Sequence, residues 1–467
     1  MEPRSLKFVT EACGGELING SPDAVVRGFS TDSRAVQRGE AFLALVGENF
    51  DAHTFVASVI EKGAAAIIAQ PDRLPKDVPA CPIISVANTR RALGQLASAY
   101  RGDFDLPLIA VGGSNGKTST KELISSVLRQ KTPTLASEAS FNNDIGVPLT
   151  LLKLNASHRS AVIEVGTNHP GELAPLLQII RPRFGVITSI GREHLEFFGD
   201  ISGVLKEEGT VAEFLPANGT LFLNGDSEWS KPIVKRARAK PVWIGFNQKN
   251  DFRARNIHMD ESGSSFLLEC SQKNLSGEYR LRLFGKHQVL NALFAIAVGA
   301  ELGLTRIEIQ RGLAECAPAK WRMEHWSFQE FHVLDDCYNA NADSMLAALE
   351  TLKEFPCKGR RIAFLGDMGE LGMHSVEAHR EVGSRVAEMG INQLFAVGKF
   401  AQETAEAARK SGLKNVEAFS EVTVAGTTLK KFLRPGDVVL LKASRAMRLE
   451  RVSEFLKQTT AQDLCKT

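Results

Sequence analysis

Apolar positions along this chain change period repeatedly, from unbroken runs that suit buried strands to spacings that suit amphipathic helices. The first hundred residues mix short strand patterns with helical ones and end in Thr89 to Tyr100, whose spacing predicts an amphipathic helix. Arg101-Gly102-Asp103-Phe104-Asp105 breaks that pattern and reads as a linker. From Leu108 the order becomes β-α-β-α. Leu108 to Val111, Ala161 to Val165 and Phe184 to Ile190 are apolar, β-branched strands, with helical stretches between them, among them Lys117 to Leu128. Ser264 to Cys270 and Tyr279 to Phe284 suggest an antiparallel edge before a helix from Asn291 to Leu302. Beyond Pro318, strands at His332 to Asp335, Arg361 to Leu365, Gln393 to Val397 and Asp437 to Leu441 alternate with helices at Ser344 to Glu354, Val376 to Met389, Ala401 to Lys410 and Met447 to Leu456. Alternation of this kind predicts an α/β protein built on mostly parallel sheets covered by helices.

A chain of 467 residues is too long for one hydrophobic core, and ordinary domain sizes suggest about three units. The breaks in pattern place them at 1–103, 104–317 and 318–467. The hydrophobic fraction of 43% and charged fraction of 24% are those of a soluble globular protein, which argues against disorder. A formal net charge of +2 without a long basic tract leaves no electrostatic footprint for nucleic acid. No run approaches a transmembrane span, and Met1-Glu2-Pro3-Arg4-Ser5 lacks the apolar core of a signal peptide, so a cytoplasmic location is expected. Seven scattered cysteines without a Cys-x-x-Cys pair read as reduced thiols and give no zinc spacing.

The chemistry starts at Val111-Gly112-Gly113-Ser114-Asn115-Gly116-Lys117-Thr118. A strand, a glycine-rich turn and a helix in that order build a phosphate cradle. Backbone N–H groups and the helix N-terminus face the anion, Lys117 adds a mobile charge, and the Thr118 hydroxyl can bind Mg²⁺. The strict pattern fails once, because its first glycine falls on Val111. The last unit is doubly wound but lacks a dinucleotide fingerprint, so NAD is not indicated.

Hard Mg²⁺ takes oxygen donors, and Glu164 supplies one at the C-terminal end of an apolar strand, the edge of a parallel sheet where ligands collect. The next strand leads into Gly191-Arg192-Glu193-His194, which puts His194 at the same edge, suited to a metal or a phosphate or to a structural role. Asn142 and Asn143 form a polar loop closed by Gly146 and Pro148, able to hold a substrate or to make an ordinary turn.

Taken together, Gly113-Ser114-Asn115-Gly116-Lys117-Thr118, Phe141-Asn142-Asn143-Asp144-Ile145-Gly146-Val147-Pro148-Leu149-Thr150, Glu164-Val165-Gly166-Thr167-Asn168-His169-Pro170-Gly171-Glu172 and His194-Leu195-Glu196 resemble the Mur ligases of peptidoglycan synthesis. Asp335-Asp336-Cys337-Tyr338-Asn339-Ala340-Asn341, Leu365-Gly366-Asp367-Met368-Gly369-Glu370-Leu371-Gly372 and Lys442-Ala443-Ser444-Arg445-Ala446-Met447 narrow the resemblance to the branch that adds D-alanyl-D-alanine to a UDP-N-acetylmuramoyl-tripeptide. Ser30-Thr31-Asp32-Ser33-Arg34 and Gly47-Glu48-Asn49-Phe50-Asp51-Ala52-His53 extend it into the first unit.

The resemblance implies three domains: one for the UDP-muramoyl end, a central ATPase, and a Rossmann-like unit for D-Ala-D-Ala. It implies ATP contacts at Gly113, Ser114, Asn115, Gly116, Lys117, Thr118 and Ser119, with His287 and Asn291 on the nucleotide side and Arg322 and Asp336 reaching in from the last unit. Substrate contacts are implied at Ser33, Arg34, Asn49, Asp51, His53, Asn142, Asn143, Asn339, Asn341, Ser444 and Arg445. Two Mg²⁺ ions would be held by Thr118, Glu164, His194 and Glu208. Lys117, His194, Arg322 and Asp336 would carry catalysis in a chain expected to be a monomer.

Departures from the family pattern are informative. Relatives carry, one helix after the histidine, a lysine converted by CO₂ to a carbamate that ligates magnesium. That position falls on Glu208, whose carboxylate would present the same planar pair of oxygens without CO₂. The competing register puts the modified lysine at Lys206, two residues away and on another face of the helix. Gln288 replaces an asparagine, Ala342 a proline and Ala443 a glycine.

The implied reaction activates the tripeptide carboxylate as an acyl phosphate, which the dipeptide amine then attacks. Catalysis would come from positioning and charge neutralisation, with domain closure keeping water out. The rival readings are another amide ligase of the superfamily, such as a folylpolyglutamate synthase, and a nucleotide-switched binding module. The second gives no purpose to the Asp335–Asn341 and Lys442–Met447 segments.

Overall fold

A computed structural model of the chain describes residues 1–47, 50–76, 80–328 and 330–464, with side chains through 458. Three large sheets organise it, beside a two-stranded pair of Arg4–Ser5 with Val25–Val26. In the first unit, Glu16–Leu17, Ile83–Ser85, Ala66–Ala69, Ala41–Leu43 and Phe29–Ser30 form a five-stranded sheet in that order, parallel except at Glu16–Leu17. The helix expected before the linker runs Thr89–Arg101, capped by Asn88, and buries Leu93, Leu96 and Tyr100. Those side chains share one hydrophobic core with Leu108, Leu177 and Ile180, so this helix packs the first unit onto the second.

The middle unit is a nine-stranded sheet whose centre places the site. Leu108–Gly112 lies between Ser160–Glu164 and Phe184–Ile187, parallel to both, with all five of its residues buried. Such two-sided burial explains its continuous apolar sequence. The chain visits the edge strand Thr134–Ala136, returns beside Leu108–Gly112 through Ser160–Glu164, and then crosses to the far side at Phe184–Ile187. The cradle therefore sits where the strand order reverses, the crevice in which open parallel sheets bind ligands. Thr220–Asn224, Lys240–Gly245 and Phe252–Asp260 extend the sheet, and Gly263–Cys270 with Gly277–Leu281 closes it as the antiparallel edge read from the sequence.

The last unit is a six-stranded sheet ordered Glu324–Phe328, Phe331–Asp335, Val438–Lys442, Arg361–Gly366, Gln393–Val397 and Val416–Phe419, parallel except for its first pair. Glu324–Phe328 and Val416–Phe419 escape the hydrophobic pattern because none of their residues is fully buried. The final helix starts at Glu450, later than Met447, because Arg445–Met447 forms a 3-10 turn and Arg448 adopts a left-handed φ of 50°.

Candidate active site

Two glycines shape the cradle. Gly113 has φ +111° and Gly116 φ +84°, and a Cβ on them would stand 2.4 Å from Thr188 Oγ1 and 2.6 Å from Asn291 Oδ1. Only glycine combines those angles with that closeness. The helix Lys117–Arg129 begins with no side-chain cap, which leaves its first amides available to an anion. The turn after Phe184–Ile187 braces the loop: Ser189 Oγ accepts from Asn115 N at 2.9 Å, Thr188 Oγ1 donates to Asn115 O at 2.6 Å, and Ser114 Oγ accepts from Gly191 N at 2.8 Å. Ser119 is buried in the first helical turn. Lys117 Nζ folds back to Gly113 O at 2.5 Å and lies 3.4 Å from Glu193 Oε2.

Around this lysine the interior is acidic. Thr118 Oγ1 donates to Glu164 Oε1 at 3.2 Å, Asn142 Nδ2 donates to the same oxygen at 2.9 Å, and Glu208 Oε2 accepts from Gly113 N at 2.6 Å. Burial works against a charge on Lys117, but Glu193, Glu208 and Glu164 outweigh it and raise its pKa. Burial pushes the Glu208 carboxyl up to about 8, with Lys117 pulling the other way. Glu164 Oε2, Glu193 Oε1 and Glu208 Oε1 are buried without a hydrogen-bond partner among the described residues. Buried unpartnered carboxylate oxygens are costly, and a hard divalent cation is the group that their chemistry fits. No three His, Cys, Asp or Glu side chains among the described residues are gathered at metal-binding distances, so the donors would have to draw together around an ion.

The helix Ile201–Glu208 separates the two registers considered for the carbamate position. Lys206 is exposed, with its backbone oxygen accepting from Arg236, whereas Glu208 is fully buried in the cradle. Glu207, between them, accepts from Gly171 N at 2.8 Å and Leu173 N at 2.9 Å and holds the loop after Glu164. His194 has φ +47°; its Nδ1 lies 2.5 Å from Glu370 Oε2, off the line of a straight hydrogen bond, and its Nε2 faces Glu193 Oε2 at 3.9 Å.

From the last unit, Arg322 crosses to Ser140 Oγ at 3.3 Å while its guanidinium covers the Tyr338 ring at 4.1 Å. Trp321 and Met323 on either side adopt φ of +59° and +54°. Left-handed backbone at bulky residues is strained and marks a position held by its surroundings. Asp336 is fixed by Lys442 Nζ at 2.5 Å and Met323 N at 3.0 Å. Asn341 caps the helix Ala342–Glu354 and donates to Asn115 Oδ1 at 3.0 Å, which ties the two units together beside the cradle. Asn339 accepts from Ala340 N and from Arg445 N, Ser444 N donates to Asp367 O, and Arg445 pairs with Glu450. Burial lowers His287 to about 4, and Asn291 donates to Gln288 Oε1 at 3.0 Å.

Several residues expected to contact substrate also have partners within the protein. Asn143 Oδ1 accepts from Gly146 N at 2.9 Å and makes the turn. His53 is 1% exposed, with Nδ1 at 2.6 Å from Asp51 Oδ1 and Nε2 accepting from Gln70 N at 3.0 Å, so it shapes the loop from within. Asp51 also binds Arg73 at 2.9 Å, Arg34 is held by Asp32 at 2.8 Å, and Ser33 O accepts from Lys62. Asn49 lies outside the described residues.

Sequence reasoning quoted Arg192, Glu193, Glu370 and Lys442 within their motifs but gave them no role. The first two charges after the buried strand Phe184–Ile187, four uncharged residues on, were the available signal for the first pair. Arg192 donates to Asp343 at 2.7 and 2.9 Å and to Glu381 at 2.5 Å, fastening the middle unit to the last.

Family models match each of the three units: the Mur ligase catalytic domain over residues 25–101, the Mur ligase middle domain over 111–299 and the Mur ligase glutamate ligase domain over 321–445. The chain is 36% identical to the UDP-N-acetylmuramoyl-tripeptide–D-alanyl-D-alanine ligase of Escherichia coli (strain K12), over 97% of this chain and 98% of that protein. It is 32% identical to the Bacillus subtilis (strain 168) ligase of the same name, over 98% and 99%. A crystal structure of MurF from Acinetobacter baumannii superposes with a TM-score of 0.90 at 32% identity, covering 98% of this chain and 99% of that one. MurF ligase from Thermotoga maritima in complex with ADP superposes at 0.82 with 26% identity, covering 94% and 99%. Matched by the family's models in all three units and by relatives along nearly all of its length, the chain belongs to the Mur ligase family.

Proposed function

We propose that this chain joins D-alanyl-D-alanine to the terminal carboxyl of UDP-N-acetylmuramoyl-tripeptide at the expense of ATP, giving the UDP-pentapeptide of peptidoglycan synthesis with ADP and phosphate. The observation that carries this reading is that two residues of a different unit reach the middle one, Asn341 at Asn115 of the cradle and Arg322 at Ser140, two residues before the Asn142 that holds Glu164. An amine cannot displace oxide from a free carboxylate, so the carboxylate oxygen first attacks the γ-phosphorus and ADP leaves. The amine then attacks the acyl phosphate, loses a proton, and expels phosphate from the tetrahedral intermediate. Both steps need positioned charge more than a protein nucleophile.

In this reading Lys117 neutralises the β- and γ-phosphates and Arg322 the transferring group. His287, Asn291 and Asp336 border the nucleotide. Thr118, Glu164, His194 and Glu208 would hold Mg²⁺, which supplies Lewis-acid neutralisation of phosphate charge. Residues 1–103 take the UDP end through Ser33, Arg34, Asn49 and Asp51, with His53 supporting their loop, residues 104–317 take ATP, and residues 318–467 take the dipeptide near Asn339, Ser444 and Arg445. No helix among the described residues is long and apolar enough to cross a membrane. A monomer working in the cytoplasm, where UDP-linked precursors and ATP meet, completes the reading.

The test is mass spectrometry of the UDP-peptide product with UDP-tripeptides ending in diaminopimelate or in lysine. D-Ala-D-Ala is offered against L-Glu, D-Glu and diaminopimelate. Phosphate release that requires both a UDP-tripeptide and D-Ala-D-Ala, with gain of the dipeptide mass, is the expected result. Turnover with a single amino acid in place of the dipeptide would overturn it.

A further inference from the structure

The two charges that follow the strand Phe184–Ile187 go separate ways. Arg192 turns outward to Asp343 and Glu381, and Glu193 turns inward. Glu193 is 4% exposed, its Oε2 stands 3.4 Å from Lys117 Nζ and 3.9 Å from His194 Nε2, and its Oε1 is buried with no hydrogen-bond partner among the described residues. It sits on the path between the cradle's lysine and the histidine. With Glu164 and Glu208 it makes three buried carboxylates facing one ammonium, each with an unpartnered oxygen. An interior so arranged is short of positive charge, and a carboxylate touching Lys117 competes with any phosphate for the same ammonium. Lys117 is also folded back on Gly113 O at 2.5 Å, pointed at its own loop.

We propose that Glu193 is a positioning residue with two successive partners: it holds Lys117 against the loop, and when nucleotide phosphates draw Lys117 away it turns its released carboxylate to the divalent cation beside His194. The inference rests on the reading of this cradle as the ATP and Mg²⁺ site. It makes nucleotide and cation binding interdependent through one side chain, because the same carboxylate opposes the first and favours the second. A residue that merely supported the turn would affect both in the same direction.

The experiment measures two affinities on full-length protein: ADP in the presence of EDTA by calorimetry, and Mn²⁺ for the enzyme–ADP complex by electron paramagnetic resonance. Glu193→Gln is expected to tighten ADP severalfold, because Lys117 loses its competitor, and to weaken Mn²⁺ by about tenfold, the usual scale for losing a supporting group at a metal site. Glu193→Asp, with a shorter reach, is expected to move both in the same two directions by less, which keeps the test intact where the Gln variant does not fold. Two affinities that fall together, or that do not change, overturn the proposal and leave the ATP site standing. Wild-type protein that binds neither ADP nor Mn²⁺–ADP removes the site reading and the proposal with it.

Discussion

Glu208 Oε2 accepts a hydrogen bond from the amide of Gly113 at 2.6 Å, so this carboxyl is anchored to the glycine-rich turn that opens the helix Lys117–Arg129. The group is wholly buried, and its other oxygen has no partner among the described residues. On the proposed reading this carboxyl, ionised when a cation binds, supplies without CO₂ the oxygens that a carbamate would. Ligase activity should therefore be unchanged when bicarbonate and CO₂ are stripped from the buffer, and Glu208→Ala should lose about 10- to 100-fold. A strong rise in rate on adding bicarbonate to stripped wild-type enzyme would refute the substitution.

The same burial gives a pH signature. In the folded chain Glu208 titrates near 8, above its ordinary value of 4.5, because burial disfavours the charged form. Folding therefore favours the protonated acid, and its contribution to stability is full below the unfolded value and is lost as pH rises through about 8. Urea unfolding of ligand-free protein should show wild type losing stability between pH 6 and 9 relative to Glu208→Gln, which has no proton to lose. Parallel stability curves for the two proteins would contradict the assignment.

Lys117→Ala should lower kcat/KM by at least about 10²-fold, the scale for deleting one preorganised charge from a phosphoryl-transfer site. The UDP-tripeptide is expected to bind as before, since on the proposed reading its nucleotide end is taken by residues 1–103. Calorimetry with the UDP-tripeptide alongside a phosphate-release assay separates the two effects. Full activity in this variant would dismantle the scheme.

Gly113→Ala tests the backbone rather than the charge. Its φ of +111° is one that side chains rarely adopt, and the added Cβ would meet Thr188 Oγ1 at 2.4 Å. Left-handed strain costs about 1–3 kcal/mol and here cannot relax without moving the loop. ADP affinity should fall by about tenfold or more, the low end of that cost, with thermal stability also reduced. Unchanged ADP binding measured by calorimetry would show that the loop does not need this conformation.

Much of the fold was legible because its central strands are buried on both faces. The runs Leu108–Gly112, Ala161–Ile163 and Val438–Leu441 are apolar throughout for that reason. Gly113, Gly116 and Lys117 were legible because a phosphate loop constrains backbone angle and charge together. What escaped were half-exposed edge strands such as Val416–Phe419, which carry no period, and relationships between units. Asn142 illustrates the second kind: its sequence marks a turn, and only the fold reveals that it holds Glu164. His53 is similar, since no local pattern distinguishes a ligand-facing histidine from one with both nitrogens satisfied inside.

Arg192 makes the last case. Its guanidinium binds Asp343 and Glu381, and its amide binds Asp343 again at 2.7 Å, so one residue beside His194 joins the middle unit to two helices of the last. The pairs are about one-third exposed, with side-chain accessibilities of 32% and 36%, so solvent screens them and their worth to overall stability is small. Their effect on geometry is larger, because Arg322 reaches Ser140 and Asn341 reaches Asn115 of the cradle only while the units stay docked. Misplacement of reacting groups by about 1 Å can cost about 100-fold in rate. Arg192→Ala should thus leave the melting temperature nearly unchanged, enlarge the radius of gyration in small-angle scattering, and lower kcat far more than it alters ADP affinity. A charge-reversed double variant, Arg192→Glu with Asp343→Arg, should restore part of both the compaction and the rate. If Arg192→Ala stays as compact and as active as wild type, the docking of these units does not depend on this contact.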